Sequence, residues 1–405
     1  MKKLLLPLML LCALLFPACA EKVSIIVATD LHYISPALTD NGPFFTQLVE
    51  NADGKVMLYI DPLCEAFVEQ VIEKKPDCLI LSGDLTFNGE KQSHIDLSAK
   101  LQRVKAAGIP VLVMPGNHDL NASAHAFKGD GYSQTDTITA EEFRIIYAAM
   151  GYDDALARDA SSLSYVWQLS SKLRILMLDV NTQEAPGMVH PHTLSWIQAQ
   201  LESAREEGQH IIAVSHQNLL GHNALFSAGY VIGNHDELYT LYAQSPVVIN
   251  LSGHMHMQHI ITQSDTPEIV TSALSVSPNQ YGVLTLSDVL TYHTEPVDVA
   301  AWAAKKGLQD ENLLNFSAYS KQFFQKIAYA QGLSSITAPA EDSEGMAHWF
   351  SHLNTCYFSG RMDWVDAESP YRKAWYEQPS FMAFYINSMF EEALKNHTQL
   401  TLPLE

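Results

Sequence analysis

Basic residues are scarce in this chain: 24 Lys and Arg stand against 45 Asp and Glu over 405 residues, a formal net charge of −21. Attraction to DNA or RNA needs a basic footprint and none is visible, so a long polyanion is a poor candidate partner and no long nucleic acid is expected. A small anion is still admissible wherever something locally positive receives it. Cysteine is equally sparse, five in all. Cys64, Cys78 and Cys356 are too few for a disulfide framework and read as small buried apolar residues. There is no low-complexity tract, and no repeat beyond a doubled tetrapeptide, Gly-Asn-His-Asp, at 116–119 and 233–236.

Long hydrophobic runs are missing too, with one exception at the start, "MKKLLLPLMLLCALLFPACAEK". Lys2 and Lys3 precede an apolar stretch that stops near Ala18, short for a membrane span and right for a cleaved export signal over residues 1–20. Two cuts are open: Ala18-Cys19-Ala20 is an A-x-A site, and Cys19 after Pro17-Ala18 is a loose lipoprotein box with Phe16 where Leu is usual. The lipidated Cys19 is the preferred reading. Cleavage removes two lysines and no acid, so −21 becomes −23. The expected location is extracytoplasmic, anchored by lipid to a bacterial membrane or secreted.

What is present is an alternation. Short β-branched runs, "VSIIVA" at 23–28, "CLILS" at 78–82, "VLVM" at 111–114, "RILMLDV" at 174–180, "IIAVS" at 211–215 and "VVINLS" at 247–252, read as buried strands. "PLCEAFVEQVIEKK", "SHIDLSAKLQRVKAAG" and "LSWIQAQLESAREEG" between them have helical spacing. "EIVTSALSV" and "YGVLTLSDV" then read as further strands, giving an α/β class. From about Pro296 the pattern becomes helical: "NFSAYSKQFFQKIAYA" puts Phe316, Tyr319, Phe323 and Ile327 on one face, a core stripe.

Five strands end in metal-ligand residue types: Asp30 and His32, Asp84, Asn117 with His118 and Asp119, His216, and His254 with His256. Open α/β sheets place their sites at such ends. A single Asp or His after a strand is usually a turn or cap residue, whereas five such endings are hard to treat as turns. In an extended segment, residues i and i+2 share a face ~6–7 Å apart, so Asp30 with His32 and His254 with His256 are expected to converge. The donors are all nitrogen and oxygen, which suits Mn, Fe or Zn. Seven donors are too many for one ion and point to two, divalent or mixed-valence, bridged by Asp84 and suited to in-line attack at phosphorus.

The ordered series Asp-x-His, Gly-Asp, Gly-Asn-His-Asp, His, Gly-His-x-His resembles the calcineurin-like metallophosphoesterases, and "SGDLTFNGE" with "PGNHD" is most similar to their bacterial class III cyclic-nucleotide phosphodiesterase branch. No element of the series is missing. The resemblance implies a two-sheet β-sandwich core flanked by helices, a catalytic domain over 21–295 and a helical C-terminal domain over 296–405. It also implies one metal on Asp30, His32, Asp84 and His256, and a second on Asp84, Asn117, His216 and His254.

On that basis the expected activity is hydrolysis of a small phosphodiester, a cyclic nucleotide or other small nucleotide, by water made acidic between two cations. Relatives use the same centre on phosphomonoesters and phospholipid-type diesters. His118 is placed to protonate the leaving oxygen, with Asp119 orienting its ring. Asn88, His222 and His259 are candidate substrate contacts, each equally readable as a cap or solvated residue. The helical extension is expected to cap the site. The second tetrapeptide opens "DELYTLYAQ", where Asn234 and Glu237 form a capping box, so His235 and Asp236 are set aside as structural. A non-catalytic exported protein that captures a phosphorylated ligand is the rival, and it would be expected to have lost a ligand or His118.

Overall fold

The computed structural model describes residues 22–120, 123–392 and 394–403, so the leader and Cys19 lie outside the described residues. The six apolar runs form strands at Val23–Ala28, Cys78–Ser82, Val111–Met114, Leu173–Leu178, His210–Ser215 and Val247–Ser252, nearly all of whose residues are buried. Burial on both faces is why they read as continuous apolar runs rather than alternating ones.

Two sheets carry the core. The first runs from edge to edge through Gln399–Pro403, Val289–Pro296, Gln280–Leu286, Val23–Ala28, Cys78–Ser82 and Val111–Met114. The second runs through His259–Ile261, Glu268–Val270, Val247–Ser252, His210–Ser215, Leu173–Leu178, Tyr165–Ser170 and Ala157–Arg158. The period of two sorts the second sheet's side chains. Ile175, Met177, Ile212 and Val214 pack with the first sheet in one shared core. Leu176, Leu178, Ile211 and Ala213 face away, against Ile197 and Leu201 of helix Pro191–Glu206 and Leu238 and Tyr242 of helix His235–Ala243. Each such side chain taken wholly from water contributes roughly 1.5–3 kcal/mol. The result is the expected sandwich with helices outside it.

Three elements differ from expectation. "EIVTSALSV" is a strand only at Glu268–Val270, after which the chain turns in beside Asp30: Leu274 N donates to Thr29 O and the Ser275 hydroxyl to Asp30 O. "YGVLTLSDV" spans two antiparallel strands, because Ser287 and Asp288 reverse the chain between Gln280–Leu286 and Val289–Pro296. The region 296–405, expected to be helical, is helical through Phe381–Ser388 and then sends Gln399–Pro403 back to pair with Val289–His293. Leu400 and Leu402 alternate with polar residues there, the mark of a half-exposed edge strand. Helices Phe316–Ser335 and Ser343–Phe358 pack on each other, and the helical region has its own core around Phe350, Trp375 and Ile386, which also takes in Met255 and Met257. Phe316, Phe323 and Ile327 are buried and Tyr319 half-buried, as the stripe predicted.

Candidate metal centre

The strand-end residues converge, but not by the extended geometry their spacing implied. Asp30, His32, Asp84, His254 and His256 all adopt positive φ, between 47° and 68°. Non-glycine residues rarely do so, and such backbone strain gathers at functional sites where the surroundings over-determine it. Left-handed turns at alternate residues therefore aim Asp30 with His32, and His254 with His256, inward.

Two groups result. His32 Nε2 lies 3.2 Å from His256 Nε2 and 3.8 Å from Asp30 Oδ1 and from Asp84 Oδ2. His256 Nε2 is 3.3 Å from Asp30 Oδ1. In the second group, His216 Nε2 is 3.3 Å from Asp84 Oδ2 and 3.1 Å from Asn117 Oδ1, and the His254 ring stands 4.9 Å from that of His216. Asp84 belongs to both groups.

The outer contacts decide which atoms face inward. Asp30 Oδ2 accepts from Thr29 Oγ1 and His254 N, and Asp84 Oδ1 accepts from His118 N, leaving Asp30 Oδ1 and Asp84 Oδ2 toward the histidines. His216 Nδ1 donates to Ser82 O at 2.9 Å and His254 Nε2 to Gly229 O at 3.0 Å, so His216 Nε2 and His254 Nδ1 are the ring atoms turned inward. Glycine is required at the approach: a Cβ on Gly253 would sit 2.0 Å from Thr29 Oγ1, and one on Gly116 would sit 2.2 Å from Asp84 Oδ1.

The electrostatics match a cation site. Burial alone would raise Asp30, but the imidazoles of His256 and His216 outweigh it and hold the carboxyl well below the usual range. Burial also acts against Asp84, and His216 and His32 overcome it in the same direction. Burial would depress His216, yet the Asp84 and Asp30 carboxylates push it up to about 9. Burial holds His32 well below its ordinary value, with Lys55 adding to the effect, and brings His254 down to about 4. Among the described residues, Asp30 Oδ1 and His32 Nδ1 are buried without a hydrogen-bond partner. An unpartnered buried carboxylate oxygen among inward-turned imidazole nitrogens fits a divalent cation on nitrogen and oxygen donors.

His118 stands beside this centre, its ring 5.2 Å from that of His32. Asp119 does not orient it, contrary to expectation. The Asp119 carboxylate is fully buried and accepts from Gly116 N, Leu85 N, Thr86 N and Thr86 Oγ1, which ties the loop together, and burial with the nearby Asp84 charge pushes its pKa up to about 7. Asn88 takes the orienting role: its Nδ2 donates to Ser123 O, which turns Oδ1 toward His118 Nδ1 at 3.3 Å.

His222 and His259 are engaged elsewhere. Their Nδ1 atoms are 2.9 Å apart, His222 Nε2 lies 3.1 Å from Glu268 Oε2, and the His259 ring stacks on His397 at 4.0 Å. His259, Glu392 and His397 form a third group of donor types, but His397 Nδ1 already accepts from Ile260 N and His259 Nδ1 faces His222 Nδ1. Neither His222 nor His259 lines the cleft beside the centre. The second tetrapeptide is structural by a different contact from the one expected. Asn234 precedes helix His235–Ala243 but makes no capping bond among the described residues; its amide instead bonds both Val189 N and Val189 O. Two residues that the strand-end pattern passed over approach the centre, Asp53, whose Oδ2 is 3.8 Å from His256 Nδ1, and Lys55, which pairs with Asp53 at 2.6 Å. They lie on a loop between helices, so a search of strand ends misses them.

Comparison with known proteins agrees with this chemistry. Residues 23–258 match the family model described as calcineurin-like phosphoesterase, and residues 298–396 match one described as the C-terminal domain of cyclic nucleotide phosphodiesterase. No curated protein matches the sequence. Among solved structures, a dimetal phosphatase from Danio rerio aligns at 11% identity over 67% of this chain and 95% of that one, with a TM-score of 0.49. GAP50, the anchor in the inner membrane complex of Plasmodium, aligns at 12% identity over 76% and 95%, with a TM-score of 0.40. With more than half of its length matched, in the segment that supplies every converging donor, the chain belongs to the calcineurin-like phosphoesterase family.

Proposed function

We propose that the protein is a phosphodiesterase acting on a small nucleotide, a cyclic nucleotide foremost. The observation that carries this reading is the pair of donor groups sharing Asp84, joined to a C-terminal region that matches the corresponding domain of cyclic nucleotide phosphodiesterase. Asp30, His32, Asp84 and His256 would hold one ion, and Asp84, Asn117, His216 and His254 the other. Bound there, two such ions supply Lewis acidity to a phosphoryl oxygen and make water acidic enough to attack phosphorus near neutral pH.

The chain's own residues do the rest. Asp84 Oδ2 is held between the two groups because His118 N fixes Oδ1. Asn88 Oδ1 accepts from His118 Nδ1, so Nε2 is the ring atom left to carry a proton to the leaving oxygen. Hydrolysis breaks one ester P–O bond, forms one P–O bond to the oxygen of water, and passes a proton to the departing alkoxide through His118.

The test is metal content of the purified chain together with hydrolysis of bis(p-nitrophenyl) phosphate and p-nitrophenyl phosphate, for wild type and Asp84→Asn. Two metals per chain, preference for the diester and loss of both metal and turnover in Asp84→Asn are expected; a preference for the monoester would overturn the diesterase reading. We further propose an extracytoplasmic protein tethered through lipidated Cys19. Radiolabelled palmitate should enter the wild type and not Cys19→Ala, and labelling of neither overturns the tether.

A further inference from the structure

A cleft of about 470 Å³ opens beside the centre, a size suited to a small organic ligand. Leu48, Val49, Met57 and Phe87 form an apolar wall. His118 and Asn88 mark the end nearest the proposed chemistry, and Gln331, from helix Phe316–Ser335, closes another side.

The segment Asn51–Lys55 forms part of this wall and is held from both directions. On the catalytic side, Lys55 bridges to Val276 and Val56 N donates to Ser275 O, in the stretch that also bonds Asp30. On the other side, Phe324 packs so closely on Gly54 that a Cβ there would lie 2.5 Å from its ring, Gln331 Nε2 donates to Ala52 O, and Lys326 pairs with Glu50 at 3.0 Å. Gly54 has φ +91°, which lets the chain double back between Asp53 and Lys55. Lys55 is thereby delivered with 12% of its side chain exposed, a fixed cation lining the cleft in a chain of net charge −21. Asp53 holds its ammonium and also faces His256.

We propose that this clamped loop is the substrate-recognition element: Lys55 meets the anionic phosphoryl group, and the apolar cleft behind it seats the base of a nucleoside phosphoester against Phe87. The inference rests on the phosphodiesterase reading for its substrate class. The helical region then acts on specificity by holding the loop from behind and by placing Gln331 at the edge of the base, where an amide both donates and accepts hydrogen bonds. Lys55 is a cation held in place beside the cleft by its pair with Asp53, which gives it a role toward an anionic ligand that a freely solvated surface lysine would not have.

Two measurements separate the parts. Adenosine, which has no phosphoryl group, is titrated calorimetrically into the metal-loaded full chain of wild type and Phe87→Ala. Binding to wild type, weakened roughly tenfold in Phe87→Ala, is expected from the loss of base stacking. Steady-state kinetics with 3′,5′-cyclic AMP should show KM raised roughly tenfold in Phe87→Ala and in Lys55→Met, with Lys55→Arg recovering most of the loss, each variant checked for metal content and melting temperature. No adenosine binding, or equal affinity in Phe87→Ala, overturns the base subsite. An unchanged KM in Lys55→Met overturns the phosphoryl contact. If the metal-loaded wild type hydrolyses no phosphodiester while adenosine still binds in a Phe87-dependent manner, the phosphodiesterase reading fails and the base subsite stands.

Discussion

At the scale of single residues, the centre depends on atoms that have one inward and one outward assignment. Each carboxylate gives one oxygen to the protein and one to the site, and His216 and His254 each give one nitrogen to a backbone carbonyl. His118 differs, because among the described residues its ring is tied through Nδ1 to Asn88 alone. Its replacement should therefore be felt in proton transfer. His118→Ala is expected to lower kcat by about 10²–10⁴ for an ester with an alkoxide leaving group, and far less for p-nitrophenolate, which departs without a proton. Equal losses in kcat on both esters would assign His118 to stabilising the charge on the phosphoryl group rather than to protonating the leaving oxygen. The residue types were legible in the sequence because Asp, His and Asn after apolar strands form an ordered series. The partner of His118 was not, since Asn88 reaches it across 30 positions and only the fold brings them together.

At the scale of elements, Glu90 precedes helix Lys91–Ala106. An acid at a helix N-terminus ordinarily gains from the dipole. Here burial outweighs the hydrogen bond from Asn88 N and pushes the carboxyl up to about 7, with Oε1 left unpartnered among the described residues. A folded-state pKa above the ordinary value of about 4.3 means that the native state binds more protons between the two values, so stability falls as pH rises through that window. Glu90→Gln removes the penalty. It should stabilise the protein by about 1–3 kcal/mol at pH 8 and leave it unchanged at pH 4, measured by chemical denaturation. A constant difference across that range would show that Glu90 acts through packing rather than charge. The strands were readable because burial on both faces makes them unbroken apolar runs, whereas Ser287-Asp288 is too short a signal to divide "YGVLTLSDV" into the hairpin it forms.

At the scale of the whole molecule, the chain leaves the sandwich at Pro296, builds a helical region with its own core, and returns to the first sheet at Gln399–Pro403. The last strand is an exposed edge that pairs with one neighbour only. Ending the chain at Thr398 should cost about 1–2 kcal/mol of stability, read as a lower melting temperature, while metal content stays the same. Loss of metal in that variant would mean that the returning strand helps hold the centre in shape. The helical region also reaches the site itself, through Phe324 on Gly54 and Gln331 on Ala52.

By itself the sequence determined the class of fold, the donor series and their order, because apolar runs, turn residues and ligand types are local properties of the chain. It also set the net charge of −21, because net charge is a sum that folding does not change. The tertiary structure alone decided which atom of each donor faces inward, since that follows from hydrogen bonds made by residues far apart in sequence. It alone set Asp119 to brace the loop rather than the His118 ring, and His222 and His259 away from the cleft. It alone brought Asp53 and Lys55 to the centre, because a loop between two helices acquires its position from what packs on either side of it.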